Sequence, residues 1–272
     1  MDLYTKTSYE LSRTLTLRYS TSFSKSSQLF APSVKQYIFA IYGLVRIADE
    51  IVDTYQGKDS EVLLDTLEKD TYKAIKTGYN TNPIIHAFAD TFRKFAIDKS
   101  LIKAFFESMR TDLTQTTFTK KQYEKYIYGS AEVIGLMCLK VFVEGDKNEY
   151  KHLEPGARVL GAAYQKVNFL RDIASDYNER GRVYFPDIDF KTFSEADKRA
   201  IEQDIAADFQ VARGAVLQLP KNARRAVRLS FEYYSELLKT IEKTPVETLK
   251  TTRVRVPNIK KLLVRFAPKG NK

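Results

Sequence analysis

Apolar residues recur at helical spacing through long stretches that Gly and Pro seldom interrupt, and this pattern limits most strongly what the chain can fold into. The 272 residues hold only 11 Gly and 8 Pro. No run of alternating β-branched residues between turn signals competes as a strand. The spacing predicts helices over 34–55, 59–76, 83–97, 101–113 and 121–143. A further helix is expected from Pro155, a favoured first-turn residue, to about 177. Ser194 with Asp197 reads as an N-cap pair opening a helix that reaches 219. Another follows over 222–242, and a short basic piece after Pro257 ends the chain. The expected fold class is all-α, in one domain spanning 1–272.

Composition narrows the function classes. With 43% hydrophobic and 29% charged residues, the chain is globular rather than disordered. Its one cysteine, Cys138, excludes an internal disulfide framework and fits a reducing compartment. Leu136, Met137 and Leu139 around it predict a buried small side chain, not a reactive thiol. Only His86 and His152 accompany it, so zinc is not expected and any metal must sit on oxygen ligands. The N-terminus mixes charge throughout and lacks the apolar segment of a secretory signal. The longest apolar run, 37–45, is far shorter than the ~20 residues that cross a bilayer.

The net charge of +10 resides in 221–272, where 14 Lys or Arg stand against 4 Asp or Glu; before that the signs balance. A basic end suits nucleic acid, a membrane surface or an anionic substrate, or is simply a solvated helix face. No recognisable nucleic-acid module is present, so no nucleic-acid partner is expected. In a helix from Pro257, Ile259, Leu262, Leu263 and Phe266 share one side, flanked by Lys260, Lys261 and Arg265. That fits a segment lying on anionic lipid. The competing expectation is that some basic residues of 253–272 fold back over the rest of the chain and hold an anionic substrate. The expected location is cytoplasmic, peripheral on the inner face of the membrane.

Two acidic pairs carry the chemistry. Asp49 and Asp53 lie four residues apart, as do Asp172 and Asp176, so each pair shares a helix face. Tyr42 and Arg46 extend the first stripe; Gln165 and Asn168 extend the second. The other positions of both segments are largely apolar, among them Ile41, Leu44, Ile51, Val167, Phe169 and Leu170. A solvated face would be richer in Lys and Glu, so both stripes are expected to line an interior cavity. Facing carboxylate stripes suit Mg²⁺, or Mn²⁺ in its place, because such ions join one or two carboxylates to substrate phosphates. Arg46 and Arg171 can add charge-assisted hydrogen bonds to the phosphates. The plainer alternative is two helices with surface Arg–Asp pairs.

The stripes resemble the two aspartate-rich motifs of the squalene/phytoene synthase family, and the likeness extends over nearly the whole chain. YSTSF, with Tyr19, Ser20, Ser22 and Phe23, resembles its N-terminal substrate-binding segment. YIFAIYGLVRIADEIVD (37–53) resembles the first metal-binding helix, and YIYGSAEVIGLMCL (126–139) the central helix beside the prenyl chains. LGAAYQKVNFLRDIASDYNERGRVYFP (160–186) is the most specific match, holding Gln165, Asn168, Arg171, Asp172, Asp176, Arg182 and Tyr184. Tyr234 and the RVRVP segment fit more loosely.

The resemblance implies an all-α isoprenoid synthase fold with Asp49, Asp53, Asn168, Asp172 and Asp176 as metal ligands. It implies coupling of two allylic diphosphates to a cyclopropylcarbinyl diphosphate, which ionises again and rearranges to a linear hydrocarbon. Tyr128 is expected beside the rearranging cation, assisting proton loss, and Phe23 and Tyr42 are expected to face the cavity. Glu132 departs from the Gly that many relatives have in the central helix, and leaves the path of the prenyl chain open. No dinucleotide-binding loop is present, so no nicotinamide cofactor is expected. No long C-terminal extension and anchor like those of eukaryotic squalene synthases is expected. Both expectations favour the non-reductive products, phytoene or dehydrosqualene, and phytoene from two C20 diphosphates is preferred. The alternatives are dehydrosqualene or squalene from farnesyl diphosphate, and a non-catalytic relative acting as an assembly factor.

Overall fold

The computed structural model describes residues 1–19, 21–55 and 57–256, with the backbone alone for Thr21 and Ser22. Helices account for the described architecture: α1 (Leu3–Tyr19), α2 (Thr21–Ser27), α3 (Pro32–Asp49), α4 (Ser60–Thr77), α5 (Pro83–Lys94) and α6 (Lys99–Thr114), then α7 (Lys120–Ile127), α8 (Val133–Phe142), α9 (Lys147–Arg180), α10 (Glu195–Gln218), α11 (Lys221–Glu242) and the short α12 (Val246–Leu249). The fold class is all-α as expected. Among the described residues the extended chain makes only an isolated bridge, Thr117 to Val183. The basic piece after Pro257 lies outside the described residues.

Three boundaries differ from the sequence reading, each for a physical reason. The helix expected over 34–55 stops at Asp49 and continues as a π-helical turn, Glu50–Tyr55, so the first aspartate pair straddles the change. The helix expected over 121–143 is likewise widened into a π turn at Tyr128–Glu132. Such insertions often sit at functional sites. Here the turn is wedged tightly: a Cβ on Gly129 would fall 2.4 Å from the carbonyl oxygen of Ala104 on α6. Pro155 does not begin a helix but lies inside α9, whose start is capped by Asp146 accepting from the N–H groups of Asn148 and Glu149. The missing N–H is tolerated because Pro155 and Lys151 are exposed, so water can satisfy the freed carbonyl. The Ser194–Asp197 capping box forms as read.

The N-terminal helix α1 was not foreseen. Its buried face is Thr5, Ser8, Tyr9, Ser12 and Thr16. The hydroxyls of Ser8, Ser12 and Thr16 donate to carbonyls one turn back, which lets small polar side chains pack against α3 and α5. Two packed apolar clusters follow, one built largely from α3, α5, α6 and α8, the other from α9, α10 and α11. Between them lies a cavity of about 1360 Å³.

Candidate active site

The mouth of the cavity is where α3 and α9 both end. Asp49 and Asp53 come from one side, Asp172 and Asp176 from the other, and all four line it. At the end of α9, Gly181 adopts φ +65°, open to glycine without strain, and turns the chain back on itself. That turn aims two arginines across the gap. Arg180 donates to the Asp176 carboxylate at 3.2 Å and pairs with Asp53 at 3.6 Å. Arg182 donates to Asp53 Oδ1 at 3.1 Å. Asp172 accepts from Arg171 Nε at 2.8 Å and from Arg253 Nη2 at 3.2 Å, and pairs with Arg253 Nε at 2.7 Å. The two stripes therefore face one another, as the sequence suggested.

Below the mouth the wall turns aromatic and amide-bearing. Phe23 and Tyr42 line it, with ring centroids 4.1 Å apart. Gln165 and Asn168 lie one turn apart on α9, and Asn168 accepts from the Tyr234 hydroxyl at 3.3 Å. Tyr234 stacks on Tyr164 at 4.0 Å. Tyr19 stands at the rim beneath the Arg46 guanidinium, 4.0 Å from its ring centroid. Arg46 reaches Asp49 at 3.9 Å and Glu50 at 2.9 Å, yet among the described residues its buried Nε has no hydrogen-bond partner. A buried donor left over at an otherwise acidic mouth is suited to an anion. Ser20 and the Ser22 side chain lie outside what the structure describes.

Two expected positions need correction. Tyr128 does not line the cavity: its ring lies beside Arg158, 5.2 Å from the guanidinium carbon. The cavity face of this helical run is Tyr126, Ser130, Ile134, Cys138 and Phe142 at steps of four, which puts Tyr128 on the opposite side. Arg182 likewise is not on the cavity wall. It is buried behind the mouth, donating to Asp53, to the Tyr184 hydroxyl at 3.3 Å and to the Asp112 carbonyl. It holds the site rather than lining it, whereas Tyr184 does reach the cavity. Glu132 pairs with Arg158 at 2.6 Å and is absent from the lining, so its side chain points away from the cavity. Cys138 is buried, and burial pushes its thiol up to about 12.

Asp112 escaped the sequence reading. It is buried on α6, accepts from the hydroxyls of Tyr126 at 2.7 Å and Tyr184 at 3.1 Å, and pairs with Arg182 at 3.6 Å. The signal was present: Phe105 and Met109 precede it at helical spacing, so it is a lone acid on an apolar face. Arg180 and Tyr164 were also missed, and Arg253 was anticipated only as one of several basic residues folding back.

The donor set fits a hard cation in its chemistry. Among the described residues no three His, Cys, Asp or Glu side chains converge as a closed ligand shell. The mouth instead offers carboxylate pairs, the arrangement for Mg²⁺ held jointly with phosphate oxygens. The electrostatics agree that countercharge is short. Burial, then Asp53, push the Asp49 carboxyl up to about 7. Burial, then Asp172, push Asp176 up to about 7, and burial pushes Asp112 up to about 6 against the pull of Arg182.

Carboxyls with raised pKa in the folded chain keep protons that the unfolded chain releases, so stability falls as pH rises from about 4 through about 7. The metal-free protein is therefore expected to melt at a lower temperature at about pH 8 than at about pH 5.5. Mg²⁺ should raise the melting temperature more at the higher pH, because it competes with protons for these carboxylates. Thermal melts in EDTA and in Mg²⁺ at both pH values check this, and equal Mg²⁺ shifts at the two would contradict it.

Comparison with known proteins agrees with this geometry. The sequence profile of the family described as squalene/phytoene synthase matches residues 16–260. A phytoene synthase of Arthrospira platensis is 28% identical over 94% of this chain and 90% of its own length. A 4,4'-diapophytoene synthase of Staphylococcus haemolyticus is 28% identical over 70% of this chain and 66% of its own length. Among solved structures, a dehydrosqualene synthase in complex with ligand superposes with a TM-score of 0.83 over 96% of this chain and 95% of its own, at 19% identity.

Proposed function

Since the chain belongs to the squalene/phytoene synthase family, we propose that it couples two C20 prenyl diphosphates head to head, giving phytoene through a cyclopropylcarbinyl diphosphate. Cavity depth supports the C20 choice. Sixteen residues separate Tyr126 near the mouth from Phe142 at the far end, roughly 24 Å at helical rise. A stretched chain advances roughly 1.15 Å per bond, so a C20 prenyl group spans about 18 Å and a C15 group about 13 Å. With the diphosphate at the mouth, a C20 chain leaves about 6 Å of this length unfilled and a C15 chain about 11 Å, so the longer chain covers more of the apolar wall. The volume of about 1360 Å³ also exceeds the roughly 300–1,000 Å³ usual for one small ligand.

In this reading Asp49, Asp53, Asn168, Asp172 and Asp176 hold Mg²⁺. The ion supplies Lewis acidity to the departing diphosphate. Arg46, Arg171 and Arg253 stand at the mouth where negative charge develops, and their donors are fixed in advance. Phe23, Tyr42, Tyr164 and Tyr234 line the cavity, where aromatic side chains exclude water and stabilise cationic carbons. Burial raises Tyr42 and Tyr164 far above the usual phenol range, so both stay neutral and are weak proton acceptors. The departed diphosphate is then the stronger base for the final proton loss. The test is to offer C15 and C20 diphosphates separately and weigh the products. A C40 hydrocarbon formed with the higher kcat/KM supports the proposal; preferential C30 product overturns the C20 choice.

No helix among the described residues is long and apolar enough to cross a membrane. We extend the reading to a peripheral attachment through the basic segment 253–272, which would let an insoluble hydrocarbon leave into lipid. Each basic residue near an anionic surface contributes roughly 1 kcal/mol. The full chain is expected to co-sediment with anionic vesicles at low salt and a chain ending at Val256 to do so less. Failure of the full chain to bind removes this part of the proposal.

A further inference from the structure

Tyr164 and Asn168 lie one turn apart on α9, and both face the cavity. Tyr234 of α11 spans the two. Its ring lies on that of Tyr164, with centroids 4.0 Å apart and planes 15° from parallel. Its hydroxyl donates to Asn168 Oδ1 at 3.3 Å. Among the described residues this is the only hydrogen bond of the Asn168 side chain, and Tyr164 is the only ring stacked on Tyr234. Tyr164 is backed in turn by Phe209 of α10, 6.3 Å between ring centroids. The orientation of the Asn168 amide therefore depends on one phenol, and the placement of that phenol on one neighbouring ring.

We infer that Tyr164 is a positioning residue for Asn168, acting through Tyr234. The inference rests on the reading above that Asn168 helps to hold Mg²⁺, and deepens it by naming what aims the amide. A hard cation takes the amide oxygen and not its nitrogen, whereas an amide with no partner can turn either atom to the site. Metal ligands are commonly held in orientation by partners outside the ligand set. Here the hydroxyl of Tyr234 marks Oδ1, but at 3.3 Å the bond is long for a hydroxyl donor, so a small tilt of the ring breaks it. The Tyr164 ring, at stacking distance, covers one face of Tyr234 and opposes that tilt. For this task Tyr164 needs a flat ring and not its hydroxyl.

The experiment titrates the full chain calorimetrically with inorganic diphosphate in fixed Mg²⁺, a measurement that needs no turnover. Tyr164→Leu removes the flat face and should weaken the affinity roughly three- to tenfold, the scale of one stacked aromatic pair. Tyr164→Phe keeps the ring, and its affinity should stay within about twofold of the parent. A ring that served only as apolar wall would raise KM for the C20 substrate and leave this affinity alone. Tyr234→Phe removes the hydroxyl that links the two and should weaken the affinity at least as much as Tyr164→Leu. In that background Tyr164→Leu should add less than about twofold, because residues acting through one contact are not additive. The inference is overturned if folded Tyr164→Leu binds as the parent does, or if its full loss reappears beside Tyr234→Phe. If Tyr164→Leu does not fold, an unchanged affinity in Tyr234→Phe overturns it alone. If the parent itself binds no diphosphate in Mg²⁺, the functional reading is wrong and this inference falls with it; where the parent binds, the variants alone decide.

Discussion

Replacing Asp53 by Asn, or Asp172 by Asn, is expected to lower turnover about 10²–10³-fold, the scale on which loss of one preorganised electrostatic group is felt. Each change keeps the side-chain shape and removes one charge from the facing pairs. Asp53 receives Arg182 at 3.1 Å and Asp172 receives Arg253 at 2.7 Å, so each links a separate arginine to the mouth. The Asp53 side chain is 39% exposed, so its removal should cost little stability, as for other accessible ion pairs. Folding should survive, seen as an unchanged far-ultraviolet spectrum and a melting temperature within a few degrees of the parent. The Mg²⁺-induced rise in melting temperature should shrink in both variants. Near-normal turnover of either variant in saturating Mg²⁺ would count against the site.

The second large effect is expected at Arg182. Its side chain is 7% exposed and that of its partner Asp112 is 4% exposed. Breaking a buried pair from one side leaves an uncompensated charge and costs about 3–5 kcal/mol. Arg182→Met should therefore lower the melting temperature by roughly 2–4 °C for each kcal/mol lost, and should also slow turnover because Asp53 loses its anchor. The double variant Arg182→Met with Asp112→Leu separates the two effects. It removes both charges, so much of the stability should return while turnover stays low. Recovery of turnover together with stability would show that Arg182 serves the fold alone.

The sequence conveyed the fold class and both aspartate stripes because their signals are local. Helical period, the Ser194 capping box and i, i+4 acid pairs are all readable without knowing what packs where. What it hid depends on tertiary placement. The buried side of α1 is carried by Thr5, Ser8, Ser12 and Thr16, whose hydroxyls are satisfied within the helix; a search for apolar period passes over it. Asp112 contributes through partners from α7 and from the segment after α9, and nothing in its own neighbourhood names them. Tyr128 was misplaced by motif position, although the period of its own helical run, read from Tyr126 and Ser130, already set it on the far side. The π turn at Glu50–Tyr55 begins one residue after Asp49, and no local signal for such a widening was read in the sequence.

The most direct test of head-to-head coupling at this site is the stoichiometry of a single reaction. The full chain is incubated with C20 diphosphate as the sole organic substrate, with Mg²⁺ or with EDTA, and both hydrocarbon and diphosphate are counted. The account predicts one C40 hydrocarbon and two diphosphates for every two substrate molecules consumed with Mg²⁺, and neither in EDTA. Release of diphosphate with only C20 alcohol, or equal C40 formation in EDTA, would contradict it.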